Sequence, residues 1–550
     1  MPVPVPVPVP VLPSPAPPPA PAPAPAPAPV PPAAPAPPPP AAPPAAPPVQ
    51  FWNITGYPTV SDDEGTYLAQ AWAVQHHHGL APYTYWYDHP PLGWVQLAVL
   101  AWLPGLFASP DHLWTAELRI VMLPVTAVSA LLLHLLARRL GLSRGFAALA
   151  VLLLGLSPLA VGLQRELFLD NFALPWMLAA FALAASPRKH LWHHVAAGLC
   201  AGVAVLTKET IAVVLPALVL LLWQHSGRTT RKFSLVGFGT ALFLIAVGYP
   251  LYAAIKGELL PGPGHVSLLG GLFFQLHRSG SGSVLTPGSG ARQVLDSWLY
   301  YDRVLIVGGL AVALPLLGSR RLRAPALAVL LLAAVVLRPG AGYLPAMYVI
   351  QALPFLALVL AGAAQLATRL VLGIRPLPPA RPGPVPRAVR WAVLLLAAAL
   401  AAGYTVPRWY AGDRTALTSH PNARYDAAAR WLRTQLPDPA HTRITVDDAL
   451  WPGLVRDGFE PGSGVIWYSK VDLDPAVAAT LPQGWRSLDY IVSSPALRQD
   501  PNDLPTVRAA LAHSTVVAAF GDSAADRIEI RRIVKDGDVK DADAARPPHP

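Results

Sequence analysis

Ten apolar runs constrain the fold of this 550-residue chain more than any other feature. Each run is long enough to cross, or nearly cross, a hydrocarbon core ~30 Å thick. The chain is 53% hydrophobic and 13% charged, whereas an ordinary soluble domain has roughly 25% charged residues. The sequence therefore predicts a polytopic α-helical membrane protein with about ten or more spans. The runs lie at about 119–137, 145–163, 171–185, 194–206, 210–224, 234–253, 303–317, 324–337, 344–363 and 388–406.

Basic residues predict the orientation of these runs. The net charge of +10 comes largely from arginines and lysines in short loops after alternate runs, which indicates orientation in a membrane and not nucleic-acid binding. The positive-inside rule makes those loops cytoplasmic, so the opposite loops and everything before Arg119 face outward. The run from Leu92 to Ala108 is expected to lie in, or dip into, the outer leaflet. The loop residues are Arg138, Arg139, Arg144, Arg188, Lys189, Arg228, Arg231, Lys232, Arg320, Arg321, Arg323, Arg369, Arg375, Arg381 and Arg387.

Composition divides the chain into four segments. Residues 1–50 are a Pro/Ala/Val low-complexity segment in which proline prevents a spanning helix, so it is either a disordered tether or the result of a wrongly assigned start. Residues 51–410 are the membrane domain, with 51–118 as its outward first loop. Residues 411–535 are an outward soluble α/β domain, with a helix at 425–436 and strands at 443–446, 490–493 and 514–518. Residues 536–550 are a disordered tail.

Charged residues collect in the outward loops. They include an acidic run at 62–64, the pair Asp88-His89, Arg165 with Asp170, and Lys208-Glu209. Ionisable groups this close to a bilayer are costly to place, which makes them candidates for a functional site. Carboxylates can take a proton from a hydroxyl, and Arg, Lys and His can neutralise a phosphate. This chemistry suits a lipid substrate whose phosphate lies at the membrane surface.

Four motifs carry a family resemblance: Asp63-Glu64-x-x-Tyr67, His89-Pro90-Pro91-Leu92, Arg165 with Asp170, and Thr207-Lys208-Glu209. Together they resemble the GT-C glycosyltransferases, in particular the protein O-mannosyltransferase and aminoarabinose (lipid A) transferase group. The resemblance covers roughly residues 59–410. It implies a polyprenyl-phosphate sugar donor, an extracytoplasmic acceptor, and inverting transfer on the outer face of the plasma membrane.

The resemblance also implies roles for individual residues. Asp63 would be the general base, although Asp62 makes that assignment ambiguous by one position, and Asp170 would be a second acidic residue of the catalytic site. Arg165 and Lys208 would hold the donor phosphate. The remaining substrate-binding candidates are Glu64, Tyr67, His89 and Glu209. For His89, a phosphate contact, a metal contact and a simple turn-capping role remain open.

Two other functional classes stay open on the sequence alone. A lipid or solute transporter would show internal repeats and charges near the bilayer midplane, and neither is evident here. A structural membrane protein that binds a cell-envelope polymer is the second. Carboxylates and a histidine are present without strong ligand spacing, so a divalent metal or other cofactor is left open. The segment from Gly257 to Tyr301 is predicted to be a mobile cover over the donor site.

Overall fold

The structure, a computed structural model, describes residues 49–79, 87–103, 112–262, 265–277, 280–338, 343–373, 386–436, 438–500 and 503–535. Residues 1–48 of the proline-rich N-terminus and residues 536–550 of the tail lie outside these ranges, so the disorder predicted for both segments is a prediction about residues that the structure does not describe. The loop arginines Arg375 and Arg381 also lie outside them.

Up to residue 418, the regular elements of the described chain are helices connected by loops. Short 3₁₀ turns precede three of them, at Leu118–Val121, Glu209–Val214 and Ala346–Gln351, and a π-helical turn at Val304–Gly308 precedes another. The helices are α1 (Asp62–Gln75), α2 (Leu92–Leu100), α3 (Trp114–Glu117), α4 (Met122–Arg139), α5 (Arg144–Gly155), α6 (Pro158–Arg165), α7 (Leu169–Ala184), α8 (Leu191–Thr207), α9 (Leu215–His225), α10 (Arg231–Ala246), α11 (Gly248–Ile255), α12 (Leu268–His277), α13 (Gly290–Tyr301), α14 (Gly309–Leu316), α15 (Arg323–Val336), α16 (Leu353–Val371) and α17 (Arg387–Thr418).

All ten predicted apolar runs are helical, but fewer qualify as complete spans. In the described residues, four helical stretches are long and apolar enough to cross a membrane: Trp114–Arg139, Arg231–Ile255, Ala346–Val371 and Arg387–Gln435. Two bent pairs raise this to six, with a bend of 64° between α5 and α6 and of 100° between α13 and the helix that follows it. The other runs form helices of 10–17 residues, and α2 is too short, at nine residues, to cross.

Small residues allow the central helices to approach closely. A Cβ on Gly198 of α8 would lie 2.3 Å from the carbonyl oxygen of Phe238 in α10. Likewise, a Cβ on Gly412 of α17 would lie 2.7 Å from Pro158 of α6. Close backbone approach through small residues is typical of helix packing in membranes. The most deeply buried helix is α7, which packs against α4 and α8.

The segment predicted as a mobile cover contains two ordered helices. Within it, α12 and α13 occupy residues 268–277 and 290–301. Ser289 caps α13 by accepting a hydrogen bond from the Arg292 N–H, and the indole of Trp298 donates to the carbonyl oxygen of Ala346 at 2.9 Å. Its C-terminal part is therefore tied to the helical body and does not fit the prediction of a mobile cover.

The C-terminal segment forms a five-stranded mixed sheet in the order β2-β1-β3-β5-β4. The strand β1 pairs in parallel with both β2 and β3, whereas β5 pairs antiparallel with β3 and β4. The predicted helix and three predicted strands are confirmed, while β2 and β5 went unpredicted. The elements are α18 (Ala423–Gln435), β1 (Ile444–Val446), α19 (Trp451–Arg456), β2 (Val465–Trp467), α20 (Tyr468–Leu473), α21 (Pro475–Ala478), β3 (Tyr490–Ser493), α22 (Pro495–Gln499), α23 (Pro505–Ala512), β4 (Ser514–Phe520) and β5 (Ile528–Ile533).

This C-terminal segment rests directly on α1. A Cβ on Gly65 would lie 2.0 Å from the carbonyl oxygen of Asp448, so only glycine permits this approach. Nearby, the hydroxyl of Thr115 donates to the carbonyl oxygen of Ala449 at 2.6 Å. The rings of Trp72 and Trp451 meet edge to face, 5.7 Å apart. The helix that carries Asp63 is thus held between the membrane helices and the sheet.

Candidate active site

A buried ion pair fixes the start of α1. Nε and Nη2 of Arg119 donate to the two carboxylate oxygens of Glu64, at 2.8 Å and 2.6 Å. Both side chains are fully buried. The main-chain N–H groups of Ser61 and Leu167 also donate to this carboxylate, each at 3.1 Å. With both oxygens engaged by protein donors, Glu64 is suited to positioning the N-terminal turn of α1 and not to contacting a substrate.

Lys208 occupies the centre of a chain of polar groups. Its Nζ lies 3.1 Å from Nε2 of His89 and 3.8 Å from Oδ2 of Asp170. On the far side of the imidazole, Nδ1 of His89 lies 3.1 Å from Oε1 of Glu209. The amide of Gln351 donates to Oδ1 of Asp170 at 2.7 Å. The structure thus brings four of the predicted residues together, and we call these five residues the polar chain.

The charge of Lys208 is stabilised by its neighbours. Burial lowers the pKa of this ammonium, but the carboxylates of Asp170 and Glu209 outweigh that effect and raise the pKa to about 12. The negative charge of Asp63 acts in the same direction. A buried, permanently protonated lysine next to an open space is a suitable counter-charge for an anion.

Tyr67 and Asp63 bring α1 up to the polar chain. The ring centroids of Tyr67 and His89 lie 6.2 Å apart. Burial raises the pKa of Tyr67, and the negative charges of Asp63, Asp88 and Asp170 raise it further. The Asp63 side chain is only partly buried, in contrast to the fully enclosed Glu64 beside it. Asp63 therefore combines proximity to the polar chain with access for a reactant.

Asp62, the alternative base, faces the C-terminal segment. Burial and the negative charges of Asp447, Asp63 and Asp500 raise the pKa of Asp62 to about 8, against an opposing hydrogen bond from Tyr468. One turn along α1, the hydroxyl of Thr66 donates to the carboxylate of Asp448. These surroundings favour Asp63 over Asp62 as the residue that faces the polar chain.

Arg165 does not fit its predicted phosphate contact. Its side chain is fully buried, and its two terminal nitrogens donate to four main-chain carbonyl oxygens. Two of these belong to Trp52 and Ala416, at 2.9 Å and 3.1 Å, and the others to Val49 and Tyr57. Arg165 therefore ties the segment before α1 to the end of α17. In the sequence, Arg165 lies at the end of a predicted helix. That position is equally compatible with binding a phosphate and with binding main-chain carbonyl oxygens.

The sequence analysis did not identify two residues of the site, Gln351 and Arg119. Gln351 holds Asp170 and also donates to the hydroxyl of Thr210, and Arg119 holds Glu64. A signal for Gln351 was available, because an amide within an otherwise apolar run is costly in a membrane and often functional.

Among the described residues, no three His, Cys, Asp or Glu side chains are grouped so as to hold a metal ion, and a metal requirement stays open.

An apolar cavity of about 290 Å³ adjoins the polar chain. Thr210 and Gln351 line it at the polar side, while Trp298, Leu310 and Val336 are among its apolar walls. Two buried carboxylate oxygens of this region, Oδ1 of Asp88 and Oδ2 of Asp170, lack hydrogen-bond donors within the described chain. Buried acceptors are normally satisfied, so these oxygens favour a ligand with hydroxyl groups. The site can therefore accept a molecule that is both polar and apolar.

Comparisons with known proteins find similarity in the part of the chain that contains most of this site. Residues 88–252 match the family model described as dolichyl-phosphate-mannose-protein mannosyltransferase, a range that includes all members of the polar chain except Gln351. A curated relative is the undecaprenyl phosphate-alpha-4-amino-4-deoxy-L-arabinose arabinosyl transferase of Edwardsiella ictaluri, 29% identical over 190 residues. That alignment covers 34% of this chain and 32% of the relative, about a third of the relative's length.

Solved structures share the fold across most of the chain. ArnT from Cupriavidus metallidurans bound to undecaprenyl phosphate matches with a TM-score of 0.55 and 16% identity, covering 88% of this chain and 96% of that one. The apo state of the same protein matches with a TM-score of 0.55 and 18% identity, covering 91% and 97%. The predicted helical membrane-protein fold is thereby confirmed. The family-model match and the curated relative agree with the resemblance predicted from the motifs.

Proposed function

We propose that this chain, a member of the GT-C superfamily of the aminoarabinose-transferase and protein-mannosyltransferase type, is a membrane glycosyltransferase. It moves a sugar from a polyprenyl-phosphate donor to an extracytoplasmic acceptor hydroxyl, on a protein, polysaccharide or lipid. The observation that carries the proposal is the buried Lys208, paired with Asp170 and His89 beside an apolar cavity. One end of this site suits a phosphate and the other a lipid tail.

The donor phosphate is placed at Lys208. A phosphate that approaches Nζ competes with Nε2 of His89 for a hydrogen bond from the ammonium. The polyprenyl tail extends into the apolar cavity past Thr210. The unsatisfied oxygens of Asp88 and Asp170 accept hydrogen bonds from sugar hydroxyls.

Asp63 is the general base of the transfer. The acceptor oxygen attacks the anomeric carbon as its proton passes to the Asp63 carboxylate. The bond between the anomeric carbon and the phosphate oxygen breaks, and its electron pair stays on the phosphate. Lys208 stabilises the charge that develops there. Because the displacement is direct, the anomeric configuration is inverted.

Other predicted residues receive positioning roles. Asp170, supported by Gln351, orients Lys208, and Glu209 orients His89. Tyr67 lines the site between Asp63 and His89. Glu64 and Arg165, both fully buried among protein donors and acceptors, hold the segment before α1 in place.

The wider topology belongs to the same proposal. The ten helical runs cross the plasma membrane, several as short or bent helices packed on protein, with the basic loops on the cytoplasmic side. The polar chain and the C-terminal segment at residues 411–535 then lie outside. A transporter is less well supported, because the charged groups gather at one end of the helices.

A transfer assay in isolated membranes tests the proposal. Membranes that contain the full chain are incubated with radiolabelled polyprenyl-phosphate sugars, and label is sought in protein, polysaccharide and lipid fractions. Asp63→Asn is expected to abolish transfer while undecaprenyl phosphate still binds, and Asp62→Asn is expected to retain transfer. Transfer at the wild-type rate by both variants would refute the mechanism. If the wild-type chain binds undecaprenyl phosphate but no label appears in any fraction, the proposed function is refuted.

A further inference from the structure

A second cavity, of about 510 Å³, lies where the bend after α13 meets α17. Arginine and aromatic side chains dominate its walls, and Leu299 is shared with the apolar cavity beside the polar chain. None of the residues used in the proposed transfer lines it. The residues that matter here are Tyr300, Tyr301, Arg303, Tyr404, Arg408 and Trp409.

The two arginines of this cavity carry uncompensated charge. Arg303 is exposed, and its guanidinium has no hydrogen-bond or ion-pair partner within the described ranges. Arg408 is also exposed. Its guanidinium stacks over the ring of Tyr404 at 3.9 Å, and Nη1 donates to that residue's carbonyl oxygen. Two cations that line one cavity without a counter-charge repel each other, so an anion between them is favoured.

Asp302 also lines the cavity, but no ion pair joins its carboxylate to Arg303 or Arg408 in the described part of the chain. Its side chain is buried, and its oxygens accept hydrogen bonds from the Ser157 hydroxyl at 2.6 Å and from the Leu305 N–H at 2.8 Å. These contacts direct Asp302 towards α6 and the start of the next helix. Any anion that pairs with Arg303 and Arg408 therefore comes from outside the described part of the chain.

An apolar surface continues from the cavity along α17. The most apolar eighteen-residue stretch of this helix has no buried residue. Val393, Leu396 and Leu400 are each about half to two-thirds exposed, and Leu400 precedes Arg408 by about 12 Å along the helix axis. Hydrocarbon is the natural neighbour of such a surface in a chain that spans a membrane.

We infer that this cavity binds an anionic phospholipid, distinct from the sugar donor. The phosphate of the headgroup lies between Arg303 and Arg408, the tyrosines flank it at the depth where aromatic residues prefer the interface, and the acyl chains lie along α17. This site requires that the chain spans a membrane, and it does not depend on the transfer reaction.

Native mass spectrometry of the purified full chain tests the inference. The chain is exchanged into equimolar phosphatidylglycerol and phosphatidylcholine, and the lipids retained on it are counted. Wild type is expected to retain phosphatidylglycerol preferentially. Changing both arginines, in Arg303→Gln with Arg408→Gln, is expected to reduce that preference about tenfold or more. Equal retention of both lipids by wild type, or wild-type preference in the double variant, would overturn the inference.

Matched variants separate binding from folding. Arg414→Gln removes an exposed arginine from the same helix outside the cavity and is expected to leave the preference unchanged. Arg303→Lys with Arg408→Lys preserves both charges and is expected to retain most of the preference, so a loss equal to that of the glutamine pair would contradict anion binding. Asp63→Asn should retain the lipid as wild type does, whatever the outcome of the transfer assay.

A third arm distinguishes a lipid from free phosphate. Inorganic phosphate is added in excess before the lipids are counted. Because the acyl chains add apolar contact along α17, phosphatidylglycerol is expected to remain bound. Its displacement by inorganic phosphate would mean that the cavity takes the free ion and would refute a lipid site.

Discussion

Nζ of Lys208 lies 3.1 Å from Nε2 of His89, and this contact fixes the state of the imidazole. An ammonium group has only donors, so Nε2 must accept and carries no proton. The proton then sits on Nδ1, where it is donated to Glu209 at 3.1 Å. In the unliganded site, Lys208 is therefore held by a neutral histidine, and an incoming phosphate can compete for the same ammonium.

We expect His89→Ala to weaken the binding of undecaprenyl phosphate about tenfold, because the contact that holds the ammonium of Lys208 in position is lost. Binding can be followed by the thermal shift that the lipid causes in the detergent-purified chain. His76→Ala is the matched control, since that exposed ring hydrogen-bonds to the carbonyl oxygen of Trp72 in its own helix. Equal affinity in His89→Ala and wild type would contradict a role for His89 in positioning Lys208 at the phosphate.

Lys208→Ala is expected to lower the rate of transfer about 100-fold, because it removes the charge that stabilises the departing phosphate. Lys208→Arg should recover part of the rate by restoring the charge. The measurement is kcat with the labelled donor at saturation. Lys232→Ala, an exposed lysine of a predicted cytoplasmic loop, should be silent. A kcat of Lys208→Ala near that of Lys232→Ala would exclude this role.

Gln351→Leu should reduce kcat about tenfold through its effect on Asp170, which would lose its hydrogen bond at 2.7 Å and with it the position of Lys208. Because Gln351 acts through Asp170, Gln351→Asn is expected to restore activity partially if its shorter amide still reaches. The donor KM should change less than kcat. The prediction fails if KM alone changes, since Gln351 would then act by direct donor binding.

The sequence predicted which residues lie at the same end of the helices. Parity of the basic loops was sufficient to place His89, Asp170, Lys208 and Glu209 at one end, where the structure brings them together. Parity does not predict the direction in which a side chain at a helix end points. Arg165 was therefore expected at the phosphate, although it binds main-chain carbonyl oxygens.

Strand β5 was missed for a different reason. Its alternation, Ile528-Glu-Ile-Arg-Arg-Ile533, was visible, but two adjacent arginines obscured the apolar face.

The number of complete spans was the least predictable part of the fold. Hydropathy identifies apolar runs, but it does not reveal where a run bends. The bends fall at Ser157-Pro158 and near Asp302, where polar side chains bond to each other at 2.6 Å and interrupt the helices. Only packing in three dimensions creates this contact between residues 145 positions apart.

Arg119→Ala is expected to destabilise the protein by about 3–5 kcal/mol, because the carboxylate of Glu64 would remain buried without its partner. Thermal unfolding in detergent measures this loss. Arg144→Ala, an exposed arginine at the start of α5, serves as the control and should change the unfolding temperature little. Glu64→Gln with Arg119→Met should recover part of the stability, because no unpaired charge stays buried. Equal stability of Arg119→Ala and Arg144→Ala would mean that the pair contributes nothing.

The contact between α1 and the C-terminal segment should weaken as the pH rises. Burial and neighbouring carboxylates raise the pKa of Asp62 to about 8 in the folded chain, whereas an unfolded aspartate titrates near 3.9. Between these values the folded state holds a proton that the unfolded state has lost, so stability falls from about pH 4 to about pH 8. Asp62→Asn should reduce this dependence, since burial also raises the pKa of Asp448, and it should raise the unfolding temperature more at pH 8 than at pH 5. Asp522→Asn, an exposed loop carboxylate, is the control, and a parallel shift at both pH values would contradict the linkage.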